Sequence, residues 1–249
     1  MLGAAFSAGF IDAIVGGGGL IQVPALFAAY PTQAPPLLLG TNKLGSICGT
    51  GSAVLRYSRV VRIPWRVLLP ACAVAFLAAL GGAGLVSAVS PALFRPLVPI
   101  MLTLVLTYVL WNKDLGTRHA PVIFSRAQNL TALAAIGGIG LYDGFFGPGT
   151  GSFLMLLFIR VYGFDFLHAS MGARTINVAT NAGALLFFGI RGDIHWALGM
   201  LLGACNAVGS ILGAHTAIRR GSQFVRAVFI AIVIALIVKT GADAWPLAH

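Results

Sequence analysis

Two aspartates, Asp12 and Asp143, occupy matching positions in two copies of one pattern that lie 131 residues apart. Each aspartate precedes a glycine cluster, and a base follows about thirty residues later, Lys43 in one copy and Arg174 in the other, as expected where buried charges serve a function. A poorly solvated carboxylate can take up and release a proton near neutral pH, and a base can bind an anion. Acid, broken helix and base within apolar sequence are typical of the substrate pathway of a membrane transporter.

The pattern extends well beyond these charges. The same offset pairs Gly9 with Gly140, Phe27 with Phe158, Ala53 with Ala184, Ile63 with Ile194, Trp65 with Trp196, Gly82 with Gly213, and Arg95 with Arg226. An offset that holds across so many residues favours a duplication over chance. We therefore predict a first transmembrane repeat over 1–112, a loop over 113–126 and a second transmembrane repeat over 127–249.

Composition points to the lipid bilayer. Apolar residues make up 58% of the chain, charged residues 9%, and the mean hydropathy is +0.93. Soluble domains carry roughly a quarter charged residues. The net charge of +10 is spread over short hydrophilic gaps such as residues 56–66, as in cytoplasmic loops of membrane proteins, so no nucleic-acid partner is predicted. Three scattered cysteines indicate neither a disulfide framework nor a metal site, and no cofactor is predicted.

The hydrophobic segments predict an all-α, polytopic integral membrane protein. Apolar runs near 37–55, 67–89, 93–111, 169–190, 195–217 and 224–241 approach the roughly 20 residues that span a bilayer core. Two further stretches, 2–30 and 127–160, are interrupted by glycines at 16–19 and by Gly-Pro-Gly at 147–149, which are poor helix interior. Each repeat thus comprises a glycine-broken first segment plus three transmembrane helices.

The broken segments either cross the membrane or turn back as re-entrant hairpins. If both cross, the repeats are parallel, and nine bases face five across the membrane, with Lys43 and Arg174 set aside. If both turn back, the second repeat is inverted, and the distribution becomes eleven against three. The positive-inside rule favours the inverted arrangement.

The pattern predicts an anion site near the bilayer midplane, where the two breaks meet. Lys43 and Arg174 would supply charge, and half-helices that start after Gly18 and Gly149 would present free N–H groups and a positive dipole end. Ion pairing with Asp12 and Asp143, or snorkelling to an interface, are alternative roles of the two bases. Neutral donors expected around the anion are Thr41, Asn42, Thr150, Ser152, Asn177 and Asn181.

The sequence allows two roles for Asp12 and Asp143. Each carboxylate could couple transport to protons, or it could cap the half-helix that follows it. Gln22 and Asn206 are predicted to be hydrogen-bonding residues between packed helices. Gly82, within a full span, is expected to be a packing glycine that tolerates alanine.

Three blocks resemble the TauE/SafE sulfite exporter family, also called the toluene-sulfonate uptake permeases: residues 9–19, 40–43 and 142–152. The resemblance covers essentially the whole chain. It implies a multi-pass permease of the bacterial inner membrane that transports sulfite, sulfonates or related anions. Its partners would be a small anionic substrate and the lipid bilayer, with a homo-oligomer left open.

Two other functions are compatible with parts of the pattern. A passive anion channel could have the same fold. An intramembrane aspartyl protease would use two facing aspartates. Its signature places Gly-x-Gly directly ahead of the second aspartate, whereas Gly140-Leu141-Tyr142 precedes Asp143 here, and a protease has no use for Lys43 and Arg174. The sequence therefore favours a transporter over an enzyme.

Overall fold

The computed structural model describes residues 1–62, 65–87 and 126–244, together with positions 103, 106, 107, 110 and 111. Regular structure in these ranges is helical throughout, which confirms the predicted all-α class. The helices are α1 (Leu2–Val15), α2 (Gly19–Ala29), α3 (Pro35–Tyr57), α4 (Trp65–Gly84), a 3₁₀ turn (Leu85–Ser87), α5 (Arg126–Phe145), α6 (Thr150–Arg160), α7 (Phe166–Arg191) and α8 (Trp196–Ala244).

The first glycine-broken segment folds back on itself. The side chain of Gln22 accepts a hydrogen bond from Asn206, whose backbone also packs against Gly9. Further from the break, Leu26 and Ala5 lie in one hydrophobic cluster. Residues equally far before and after the break are therefore neighbours, and α1 and α2 form a hairpin.

The second broken segment also turns back. The Tyr142 hydroxyl donates to the carbonyl oxygen of Pro148 at 2.6 Å, and its ring lies 5.9 Å from that of Phe153. Gly147 and Gly149 have φ angles of 92° and 88°, in the left-handed region that favours glycine. The turn thus depends on glycine conformations, and α5 and α6 form the second hairpin.

Each hairpin packs against a helix from the other half of the sequence. Helix α1 packs on α8, where a Cβ atom at Gly213 would overlap the carbonyl oxygen of Phe10. Helix α5 packs on α4, where a Cβ atom at Gly82 would overlap the carbonyl oxygen of Leu141. The offset of 131 relates these two contacts to each other, since it pairs Phe10 with Leu141 and Gly82 with Gly213. The expectation that Gly82 tolerates alanine is therefore wrong, because backbone occupies the space of a side chain.

Contacts between residues distant in sequence show which helix ends lie together. The N–H of His195, between α7 and α8, donates to Thr41 near the start of α3 at 2.9 Å. At the opposite end, Arg56 lies 2.9 Å from His215, and the N–H of Leu167 donates to Ser222. The two hairpins therefore enter the bundle from opposite ends, the first from the end where α3 starts and the second from the end where α3 finishes.

The long helices match most of the predicted spans. In the described part of the chain, two helices are long and apolar enough to cross a membrane, Trp65–Gly84 and Trp196–Ala235. Helix α8 combines the predicted spans 195–217 and 224–241, which meet at a non-helical Gly221. The spans 37–55 and 169–190 fall within α3 and α7. Most of the predicted span 93–111, and the loop 113–126 apart from its last residue, lie outside the described residues.

Candidate functional site

The site is built where the tips of the two hairpins meet. Gly16 ends α1 with φ 83° and packs so closely on Gly151 that neither position has room for a side chain. The Ser152 hydroxyl donates to the carbonyl oxygen of Val15 at 3.0 Å. Because α1 ends at Gly16 and the first turn of α6 contains Gly151, the two backbones can touch here.

A small polar cavity lies beside the tips. Its lining residues are Asp12, Gly16, Gly18, Gly19, Asn42, Lys43, Ser46, Asp143, Gly147, Thr150, Gly151, Asn177, Asn181 and Asn206. Its volume is about 30 Å³, enough for about two water molecules. The lining comes from both hairpins and from α3, α7 and α8, so the cavity exists only in the folded bundle.

Lys43 is the cation of the cavity. The residue is 3% exposed, and its Nζ lies 3.0 Å from Oδ1 of Asp143, which is 2% exposed. The same Nζ donates to the backbone carbonyl of Asp143 at 2.5 Å. The ammonium thus neutralises a carboxylate and binds a carbonyl at the end of α5, where the helix dipole favours positive charge.

Two asparagines of α7 support this ion pair. Nδ2 of Asn177 donates to Oδ2 of Asp143 at 3.3 Å, and Nδ2 of Asn181 donates to Oδ1 of Asn177 at 3.1 Å. Both side chains were predicted to be substrate donors, and both line the cavity. Their hydrogen bonds hold Asp143 beside Lys43.

Arg174 occupies a different environment from Lys43. It is 1% exposed, donates to the backbone carbonyls of Asp12 and Ser170, and does not line the cavity. Its Nε has no hydrogen-bond partner among the described residues. Arg174 therefore joins α7 to the C-terminal end of α1, and the structure does not place the two bases side by side around one anion.

Asp12 caps the first hairpin. Its Oδ1 accepts a hydrogen bond at 3.2 Å from the N–H of Gly18, the residue that precedes α2. An acidic side chain at this position satisfies a free amide and suits the positive end of the helix dipole. Asp12 thus has the cap geometry, whereas Asp143 is paired with Lys43.

The other predicted site residues divide into two groups. Asn42, Thr150 and Gly18 line the cavity, and Oδ1 of Asn42 has no partner among the described residues. Residues that do not line it are Thr41, which bonds Leu37 and His195, Ser152, which bonds Val15, and Gly149.

Ser46 and the lining role of Asn206 were not predicted from the sequence. Ser46 lies 131 residues before Asn177, so the repeat offset could have identified it. Asn206 donates to Gln22 at 2.7 Å, as predicted for a hydrogen bond between helices, and also lines the cavity. The side chain of Asn206 therefore serves both helix packing and the cavity wall. The hydrophobic periodicity of the sequence cannot distinguish these two roles.

Helical hairpins that meet at buried charges beside a polar cavity define the architecture of a membrane transporter. Residues 1–240 match the sequence profile of the family Sulfite exporter TauE/SafE. The chain belongs to this family of membrane transporters, so it is a membrane protein and not an enzyme. The intramembrane protease alternative is thereby set aside.

Several relatives carry the name of transporters. The chain is 35% identical over 246 residues to the probable membrane transporter protein ORF9 of a Sinorhizobium species, covering 96% of this chain and 90% of the relative. It is 34% identical to the probable membrane transporter protein YfcA of Escherichia coli K12, covering 94% and 86% of the two chains. A probable membrane transporter protein of Haemophilus influenzae is 34% identical, covering 89% and 85%. No solved structure matches the chain significantly.

Proposed function

We propose that this transporter carries a small sulfur-containing or organic anion, such as sulfite or a sulfonate, through the cavity between its hairpin tips. The observation that carries this proposal is Lys43, a fully buried cation in the cavity wall. Inserting a charged side chain at the centre of a transmembrane helix costs about 2.5–3.5 kcal/mol, and such residues generally serve function. The name of the family, a sulfite exporter family, agrees with an anionic substrate.

The hairpins support alternating access as the mechanism. Their tips are in direct contact, and the cavity has room for about two water molecules. A sulfonate therefore needs the tips to separate before it can bind. A passage that is closed at its centre and opens by movement of two packed units suits a carrier better than a permanently open channel.

The ends of the helices support an inverted arrangement in the inner membrane. The end where α3 finishes carries Arg56, Arg59, Arg62, Arg66, Arg160, Arg219, Arg220 and Arg226. At the other end, Arg191 is paired with Asp193 at 3.2 Å. Because cytoplasmic loops are rich in Lys and Arg, we assign the arginine-rich end to the cytoplasm, and the first hairpin then enters from the opposite side.

The proposal is tested with purified protein in proteoliposomes. Uptake of labelled sulfite, thiosulfate, methanesulfonate and acetate is measured with and without a pH gradient. We expect saturable uptake of at least one sulfur oxyanion, and exchange of labelled for unlabelled anion. Lys43→Met combined with Asp143→Asn, which keeps the cavity neutral, is the matched inactive variant. Anion flux that never saturates and shows no exchange would instead identify a channel.

A further inference from the structure

Among the described residues, the charges around the cavity sum to zero. Lys43 and Asp143 form one pair in its wall, while Asp12 lines it and Arg174 binds the backbone of Asp12 from behind. A substrate anion that entered alone would leave one buried negative charge uncompensated. A buried charge without a partner is strongly unfavourable, so the cavity needs a positive charge to enter with the anion.

Asp143 is the carboxylate that this extra charge would neutralise. An anion that pairs with Lys43 competes with the carboxylate of Asp143, which lies 3.0 Å from Nζ. The displaced carboxylate would keep one neutral donor, Asn177. Protonation removes its charge and its repulsion of the incoming anion.

Among the residues that the structure describes, the neighbours of Asp143 supply no other compensating charge. Asp12 lines the same cavity from α1, and Tyr142 is adjacent on α5. Arg174 of α7 is engaged with the carbonyls of Asp12 and Ser170. The face of α4 against α5 presents the small residues Ala75, Ala79 and Gly82, so no titratable group faces Asp143 from that helix.

Asp12 does not fit the same role. Its Oδ1 is the hydrogen-bond acceptor for the Gly18 amide, which is a structural bond of the hairpin turn. A proton on Asp12 would weaken this cap without freeing Lys43. The two aspartates are equivalent in sequence, but only Asp143 competes with an anion for the cation of the cavity.

We propose that the anion and one proton occupy the cavity together, the anion on Lys43 and the proton on Asp143. This inference rests on the proposed function. A proton binds a carboxylate oxygen of Asp143, the ion pair with Lys43 breaks, and the ammonium pairs with the substrate anion. Departure of both on the other side restores the original pair. For a monoanion the whole cycle moves no net charge.

The test uses methanesulfonate and thiosulfate in proteoliposomes, because these anions of strong acids carry no proton at neutral pH. An enclosed pH dye reports proton movement. With wild-type protein, a proton gradient of about one pH unit should drive up to about tenfold accumulation of methanesulfonate, since one unit corresponds to 1.36 kcal/mol. Asp143→Asn carries a permanently neutral amide. It should keep exchange of anion for anion and lose accumulation and proton movement.

Asp193→Asn is the control, since it neutralises an aspartate that pairs with Arg191 away from the cavity. It should retain proton-driven accumulation in the protein that inserts. Asn177→Ala provides a second variant if Asp143→Asn does not fold. Because Asn177 donates a hydrogen bond to the carboxylate of Asp143, its loss should change the pH profile of uptake.

The outcomes separate the two proposals. Anion transport by wild-type protein without proton movement would overturn the role of Asp143 and leave the proposed function standing. The same follows if Asp143→Asn still accumulates anion, or if Asn177→Ala leaves the pH profile unchanged. Failure of the wild-type protein to transport any anion of the panel would overturn the proposed function, and this inference with it.

Discussion

Lys43 and Arg174 are equivalent in the sequence pattern and have different surroundings in the folded chain. Lys43 pairs with a carboxylate in the cavity wall, whereas Arg174 donates to two backbone carbonyls behind it. A compact ammonium can exchange one anionic partner for another. A guanidinium that bonds two backbone segments is held in place by its fork of donors. These different contacts suggest different roles for the two equivalent bases. Lys43 would bind substrate, and Arg174 would hold α7 against α1.

Charge removal at the two positions should separate these roles. We expect Lys43→Met/Asp143→Asn to insert with a melting temperature close to that of wild type and to lose transport, because replacing both partners of a buried ion pair is often neutral. Arg174→Met should lower the melting temperature, since buried carbonyls lose their donors at about 1–3 kcal/mol each. Melting in detergent and uptake in proteoliposomes measure the two effects. An Arg174→Met protein with normal stability and no anion binding would instead place Arg174 in the substrate site.

At the scale of helices, glycines have two separable functions. Gly82 and Gly213 allow helix backbones to touch, and Gly16, Gly147 and Gly149 adopt positive φ angles in the turns. The half-helix predicted to start after Gly18 does begin at Gly19, and Gly18 itself has a φ of −59°. A side chain at Gly18 would instead collide with Asp12 and the backbone of Ala8.

Neighbouring glycines of α4 provide a test of the close contact. Gly82→Ala should lower the melting temperature, because its Cβ would overlap backbone of α5, whereas Gly81 faces open space. Gly81→Ala should be neutral or slightly stabilising, since alanine is favoured over glycine within helices by about 1 kcal/mol. Equal melting temperatures for the two variants would show that α4 and α5 do not pack as described.

The turn glycines should also differ from one another. At Gly149 an added Cβ meets a flexible ring, Phe153, at 3.4 Å, so alanine adds mainly the strain of a positive φ, about 1–2 kcal/mol. At Gly16 the same strain is combined with overlap of the backbone of Gly151. Gly16→Ala should therefore abolish uptake, and Gly149→Ala should reduce it. Greater loss of uptake in Gly149→Ala than in Gly16→Ala would argue that uptake does not depend on contact between the hairpin tips.

At the scale of the whole molecule, each hairpin packs on a long helix from the other half of the sequence. The two buried bases also bond across the halves. Lys43 of the first half bonds Asp143 of the second, and Arg174 of the second half bonds Asp12 of the first. The units that pack together are therefore not the two halves of the sequence. A movement that separates the tips must break bonds made by Lys43, Arg174 and Ser152.

The inverted arrangement predicts which ends share a side of the membrane. In a protein with Cys48, Cys72 and Cys205 replaced, cysteines at the exposed positions Ser58 and Gln223 should react with an impermeant maleimide from the cytoplasmic side. Cysteines at Gln33 and Arg191 should react from the opposite side. Labelling of Ser58 and Gln223 variants from opposite sides would contradict the arrangement.

Several properties of this protein could be predicted from sequence because they depend on local composition or on the repeat. Apolar runs indicate a helical membrane protein, and glycines at 16–19 and 147–151 indicate breaks in two helices. The offset of 131 identifies Asp12, Asp143, Lys43 and Arg174 as residues of interest. These features can be predicted from the sequence because they do not depend on tertiary contacts.

The tertiary structure alone decided what each of those residues contacts. Asp143 lies 3.0 Å from Lys43, one hundred residues away, while Asp12 caps its own hairpin. Gly82 looks like an ordinary helix glycine until Leu141 is placed against it. Residues that a duplication makes equivalent diverge because the partner that reaches each one is set by packing between distant helices. A charge becomes a ligand, a counter-ion or a cap according to the groups that packing brings within about 3 Å, the range of a hydrogen bond.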